Sequence, residues 1–160
     1  MKNSNKSYKL ALGIATVLIL VTVLVSGCSL PKASSETGVI SEITMSTAVD
    51  NDSRPVNPTT VFATDADGCY CSFKLSGFPV GAKLEAQWIY VGGDPEVEAT
   101  TGKNYVAETQ PATIEKEGRG YTYTVYARPP MPDYKWPKGD WKVVIVVDEL
   151  EKASTYFKVQ

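Results

Sequence analysis

An all-β antiparallel sandwich is the fold class that residues 39–160 predict, on three observations. Short apolar runs alternate there with polar residues at a period of two, the pattern of strands with one buried face. Clusters of Gly, Pro, Asp and Asn punctuate the runs about every ten residues. No stretch sustains apolar residues at i, i+3 and i+4 between caps, so almost no helix is expected. Without crossover helices, neighbouring strands must pair antiparallel.

Ahead of the sandwich, Lys2, Lys6 and Lys9 form a cationic start of the kind that stays on the cytoplasmic side of a membrane. Residues 10–25 then run for 16 positions without a charge. That is long for a signal-peptide core and short of the ~20 residues a spanning helix needs. Small Ser26 and Gly27 suit a peptidase cleft, and the Cys28 thiol beside them is the nucleophile that lipid transfer requires. The run Leu24-Val25-Ser26-Gly27-Cys28, placed where the apolar stretch ends, resembles the lipobox of bacterial lipoproteins. The resemblance implies a diacylglycerol on the Cys28 sulfur, cleavage between Gly27 and Cys28, and lipid anchoring to the cell membrane or outer membrane, facing away from the cytoplasm. Two or three acyl chains hold a protein stably where one is marginal, at roughly 0.8 kcal/mol per buried methylene. The alternative is an uncleaved signal anchor with an incidental cysteine. On the lipoprotein reading, residues 1–27 are the signal peptide, 28–38 the lipidated N-terminus and a flexible tether, and 39–160 the sandwich. Residues 29–37 are small, polar and broken by proline, and reach at most about 30 Å when extended.

Within the sandwich, strands are expected at 39–47, with Ile43 and Met45 inward, and at a short edge run 59–63 after a turn-rich excursion over 50–58. Residues 69–75 set Cys69, Cys71, Phe73 and Leu75 against Tyr70, Ser72 and Lys74. Residues 83–91 set Leu84, Ala86, Trp88 and Tyr90 against Lys83, Glu85 and Gln87. Weaker strands are expected at 96–101, 104–109 and 112–117. Residues 121–128 follow, with Tyr121, Tyr123 and Val125 on one face, and then a proline-rich loop to Pro137. The strongest strand is 141–147, and 154–159 closes the domain with Phe157 and Val159 inward.

Two stretches resemble immunoglobulin-like domains of bacterial surface proteins. Trp136-Pro-Lys-Gly-Asp-Trp141-Lys-Val-Val-Ile, followed by a charged turn and a strand ending Phe157-Lys-Val159, is similar to their closing hairpin. Trp88, within Leu84-Glu-Ala-Gln-Trp88-Ile-Tyr90, is similar to the buried tryptophan of their third strand. The resemblance covers residues 39–160 and implies an immunoglobulin-like sandwich of about seven to nine strands, with the strands at 83–91 and 141–147 paired. Two departures are expected. The cysteine pair that bridges the sheets of antibody domains is absent, and Trp141 stands where related domains place a corner tyrosine, leaving no hydroxyl for that residue's hydrogen bond.

Charge and composition narrow the function. Removing residues 1–27 takes away three lysines and leaves 133 residues with 13 basic and 18 acidic side chains, net −5. That is one domain's worth of chain, and its balance argues against a nucleic-acid partner. There is no histidine, which removes Ser-His-Asp and Cys-His catalysis and the commonest metal ligand. The chain is read as a non-enzyme without cofactor, catalytic residues or metal.

Cys69 and Cys71 are the sharpest local feature. Two apart on a strand, they share a face with Cα atoms roughly 6.6–6.8 Å apart, at the outer limit for a disulfide. They read as small core hydrophobes. The alternatives are a strained disulfide, or a soft-metal site with Met131 as third ligand. Asp65-x-Asp67-Gly68 is half of a calcium loop, but Lys74 occupies the position of the required glutamate, so it reads as a solvated turn. For contact residues the candidates are Trp136, Tyr134 and Tyr126 as a sugar-facing aromatic set. Trp136, beside proline, stands either as a lid over the core edge or as an exposed contact. A second candidate set is Ile89, Val91, Val144 and Val146, which make the other face of two core strands apolar as well. Cover from within the chain is the favoured reading of that face, and a partner surface the other. The function expected is recognition, adhesion or structural spacing at the cell envelope, with a protein or glycan partner. The alternative is a small-ligand binder, for carbohydrate or for a metal ion through Cys69 and Cys71.

Overall fold

The computed structural model describes residues 38–116 and 118–160. The strands run in chain order as β1 (Val39–Val49), β2 (Pro55–Pro58), β3 (Val61–Phe62), β4 (Gly68–Phe78), β5 (Lys83–Gly92), β6 (Tyr105–Thr113), β7 (Gly118–Ala127), β8 (Gly139–Val147) and β9 (Leu150–Val159). One short helix, α1 (Pro95–Thr101), lies between β5 and β6. Two sheets result, ordered β2-β1-β4-β7 and β3-β9-β8-β5-β6. All pairings are antiparallel except β3 with β9, which run parallel through Val61–Lys158 and Phe62–Val159. Strands adjacent in sequence sit in different sheets at β2/β3, β4/β5, β6/β7 and β7/β8, the sheet-to-sheet crossings of a Greek-key sandwich, with β5 and β8 paired at the centre of the larger sheet.

The inward sets are those the alternation predicts. Cys69, Cys71 and Phe73 from β4 meet Ala86, Trp88 and Tyr90 from β5, Trp141, Val143 and Ile145 from β8, and Phe157 and Val159 from β9, all in one buried cluster. Burying each large side chain contributes about 1.5–3 kcal/mol. Trp88 is fully buried, packing edge-on to Phe157 at 5.9 Å and tilted against Tyr126 at 5.8 Å. Its indole N–H donates to the Thr124 hydroxyl at 3.2 Å. That hydroxyl donates in turn to the Gln110 side-chain oxygen, and the Gln110 amide donates to the Val125 carbonyl at 2.8 Å. Gln110 thus ties β6 to β7, the edge strands of the two sheets, while leaving the buried indole satisfied.

The corner bond expected to be lost is present in another form. The Trp141 indole N–H donates to the Pro137 carbonyl at 3.2 Å, four residues upstream. An indole donates as a phenol does, and its larger ring also stacks on Phe157 at 6.0 Å. Nearby, Gly139 has φ 130, and a side chain there would put a Cβ 2.3 Å from the Gly92 carbonyl. Only glycine allows β8 to start that close to the end of β5.

Several boundaries differ from the sequence reading. Residues 95–101 are a helix, not a strand: the Asp94 carboxylate accepts from the Glu96 and Val97 N–H groups, Pro95 takes the first turn, and Glu96 and Glu98 face its positive end. The strand expected at 104–109 continues through Pro111 to Thr113 as β6, which tolerates the proline because it lies at a sheet edge, and residues 114–116 of the strand expected at 112–117 are not part of a strand. Part of the supposed excursion over 50–58 forms β2. The last turn is tighter than expected. Asp148 and Glu149, with φ 47 and 70, make a two-residue hairpin connection, so β9 begins at Leu150.

Candidate functional site

The three aromatic candidates come together, with Trp136 buried and Tyr126 and Tyr134 half-buried against it. Trp136 is 2% exposed. Its indole N–H donates to the Ala66 carbonyl at 2.7 Å and its backbone N–H to the Thr64 carbonyl at 2.8 Å. Tyr126 meets its edge at 4.8 Å and Tyr134 at 6.0 Å. Tyr126 belongs to the inward set of β7, and burial pushes its hydroxyl up to about 12. Burial raises Tyr134 too. Of the two roles open to Trp136, the structure shows the lid: the proline-rich loop lays it over the core edge, with Tyr126 beneath. This corrects its placement as an exposed contact residue; Tyr126 and Tyr134 are half-buried beside it.

Cys69 and Cys71 are fully buried free thiols. Burial pushes both up from an ordinary 9.0 to about 12, so the metal-binding thiolate form is disfavoured, and Met131, 54% exposed, lies outside the core they share. Asp65 lies 3.8 Å from Lys135, and Asp67 3.1 Å from Arg128; both are exposed turn carboxylates. Among the described residues no three of Cys, Asp and Glu gather in a way that could hold a metal ion. Cys28 and the segments 1–27 and 28–37 lie outside the described residues.

The aliphatic candidates lie where alternation puts them, on the outer face of the five-stranded sheet. In the β5–β8 register, Gln87 stands opposite Val144, Glu85 opposite Val146 and Ile89 opposite Lys142. Together with Lys83, Pro111 and Glu151 they line an open trough of about 860 Å³. Every lining residue comes from this sheet or its turns, and among the described residues no second layer lines it. Val144 is nonetheless only 4% exposed, and Ile89, Val91 and Val146 are half-buried. The flanking polar chains lie along the sheet. Lys142 reaches Glu151 at 3.4 Å and lies 5.8 Å over the Tyr156 ring, and Gln87 donates to Glu85 at 2.6 Å. Long side chains cover apolar surface with their stems while their heads stay wet. Among the described residues, the shielding on this face comes from neighbouring side chains.

The outer face of the four-stranded sheet holds a group the sequence reading did not single out. Tyr70 and Tyr123 lie with ring centroids 6.1 Å apart, and Tyr123 is 45% exposed. One residue pair along, Tyr121 stands opposite Lys74. The Tyr121 hydroxyl and the Lys74 ammonium, the latter at 3.0 Å, both donate to the Glu42 carboxylate. Those two hydrogen bonds hold Glu42 below the ordinary carboxylate range. Arg54 lies 5.5 Å from the Tyr121 ring centre. Alternation puts Tyr121, Tyr123 and Val125 on one face, but the residues that alternate with them, Thr122 and Thr124, look too polar to mark the other as the core. Only the bond from Trp88 to Thr124 explains why a threonine points inward.

No family model matches the chain, and no curated protein matches it in sequence. Among solved structures it is similar to an immunoglobulin-like protein from Pseudomonas aeruginosa, at 13% identity and a TM-score of 0.51, over 79% of this chain and 99% of that one. The fold is immunoglobulin-like. A similar likeness, at 15% identity and a TM-score of 0.51, links 78% of the chain to the alkylpurine DNA glycosylase of Pseudomonas fluorescens bound to DNA containing an abasic-site analogue. The chain spans about a third of that enzyme, covering 30% of its length. At such identities the likeness is one of fold. No helix among the described residues is long and apolar enough to cross a membrane.

Proposed function

We propose that this protein is a lipid-anchored, extracytoplasmic, non-catalytic recognition or adhesion module, held to the membrane through Cys28 and presenting an immunoglobulin-like sandwich to an envelope or extracellular partner. The observation that carries recognition is the trough on the five-stranded sheet: half-buried Ile89 and Val146 beside a buried Val144, rimmed by Lys83, Glu85, Lys142 and Glu151. An apolar floor with a mixed-charge rim is the composition of a protein contact surface. The lipobox-like run and the uncharged stretch before it support the anchor. The net charge of −5 on residues 28–160 supports a partner that is not nucleic acid.

Intact mass and fractionation test the anchor together. Membrane-extracted protein should lack residues 1–27 and carry acyl mass on Cys28, and Cys28→Ser should abolish both. A membrane-bound form that retains Met1 would mean an uncleaved anchor, and a form found in the cytosol would end the proposal. A small-ligand function is the second reading. Trp136 and the two cysteines are buried; the exposed Tyr123 and the half-buried Tyr70 and Tyr121 of the other sheet favour it instead.

A further inference from the structure

The outer face of the four-stranded sheet has a construction that packing alone does not require. Ser46 and Ser72 belong to its outward set, opposite or beside Tyr70 in the ladder, yet both are fully buried. The β1–β2 turn is folded down over them, with the Ser72 hydroxyl donating to the Ser53 carbonyl. Asp50 stiffens that turn, its carboxylate accepting from the Asp52 and Arg54 N–H groups at 2.9 and 2.8 Å. The result is that Arg54 is held beside Tyr121.

On the facing edge of the same group, β1 carries a bulge between Ser41 and Thr44, and Glu42 within it has φ 53. A non-glycine residue in left-handed backbone inside a strand is strained, and such bulges re-aim side chains. Here the bulge brings the Glu42 carboxylate to the Tyr121 hydroxyl and Lys74. Three strands and one clamped turn thus converge on a strip that runs from Glu42 through Tyr121 and Tyr123 to Tyr70.

We propose that this strip is a carbohydrate-binding site, with Tyr70 and Tyr123 as the stacking floor and Glu42, Lys74 and Arg54 as the hydrogen-bonding end. The chemistry selects the ligand. Tyrosine rings offer flat apolar faces that match the C–H face of a pyranose, and their hydroxyls add polar edges. Around the rings the strip carries hydroxyls and charged groups, Val125 being its aliphatic neighbour opposite Tyr70, so a wholly apolar partner would strand these polar groups. A sugar has hydroxyls for the carboxylate to accept from and for the ammonium and guanidinium to donate to. Held carboxylate, held cations and adjoining rings are a preorganised set of few polar groups beside an apolar floor. The site is independent of the trough on the other sheet and of the lipid anchor.

The test is binding of the full chain, in detergent micelles, to immobilised β-1,4-linked glucose, N-acetylglucosamine and mannose hexamers. At least one should be retained, with Tyr123→Ala and Tyr70→Ala each weakening it roughly tenfold or more. Glu42→Gln should weaken it without moving the thermal transition. Tyr105→Ala, which removes an exposed ring from the opposite sheet, should leave it unchanged. Retention of none of the three, or retention indifferent to both tyrosine variants, overturns the proposal. So does a tyrosine-dependent contact made only with protein.

Discussion

The two outer faces of this sandwich obey the same alternation and reach opposite surface chemistries. On the five-stranded sheet an aliphatic set, Ile89, Val91, Val144 and Val146, lies among outward polar residues, and Val144 is only 4% exposed. On the four-stranded sheet the outward residues are tyrosines and charged groups; Tyr123 stands 45% exposed while two serines are buried by a turn. One face hides what is apolar beneath what is charged, and the other hides small polar residues and displays rings. Alternation decides which side a residue faces. Whether it meets water is decided by the length of its neighbours and the path of the adjoining turn.

Both faces rest on one core, so the largest expected effect should not distinguish them. Trp88→Ala should cost about 3–5 kcal/mol, the range for deleting a buried large aromatic, and urea unfolding should show both faces lost together. If the fluorescence of Trp136 and Trp141 reported one transition and the tyrosines of β7 another, the single-core picture would fail.

The next effect comes from the thiols beneath the four-stranded sheet. Their folded-state pKa values are raised, so each contributes stability that is complete below the ordinary 9.0 and lost as pH rises towards about 12. Unfolding releases protons in that window, at about 1.4 kcal/mol per thiol per pH unit. The urea midpoint should fall between pH 8 and pH 10.5, and fall less in a Cys69→Ala/Cys71→Ala variant. Equal slopes in the two proteins would mean that the thiols are wetter than their burial indicates.

The smallest effects sharpen the contrast itself. Val144→Ala should destabilise by about 1–2 kcal/mol, the worth of two buried methyl-sized groups. Tyr123→Ala, although it removes a far larger side chain, should stay within about 0.5 kcal/mol of wild type, as surface changes do. Thermal melts of the pair decide the matter, and a reversed order would break the comparison.

Much of the fold is legible in the residues. The inward sets of β4, β5, β8 and β9 follow from period-two alternation, and Trp88, Phe157 and Val159 stand where it puts them. Helix α1 was readable too, since Asp94-Pro95-Glu96 is a capped start, but seven residues are too few for periodicity to outvote the β-rich surroundings. The sites were harder. Trp136 next to proline gives no local sign of burial, because the carbonyl that receives its N–H belongs to Ala66, seventy residues earlier. The Tyr121–Glu42 contact joins residues on β7 and β1 that no local pattern connects. Alternation and capping are local, whereas lids, clamps and bulge-aimed carboxylates are made by residues far apart in the chain.

The parallel pairing of β3 with β9 sets a condition on how the molecule forms. Val61 meets Lys158 and Phe62 meets Val159, 97 residues on, and Phe62 then seats edge-on against Phe157 at 5.4 Å. No nucleus near the start of the domain can complete the five-stranded sheet, since its edge waits for residues 157–159. Closing so long a loop costs entropy before any contact repays it, which places folding in the millisecond-to-second regime of sandwiches rich in distant pairings. Until then the chain carries an open strand edge and an uncovered Phe62. Residues 157–159 must therefore be synthesised, and be through any membrane they cross, before the edge can close.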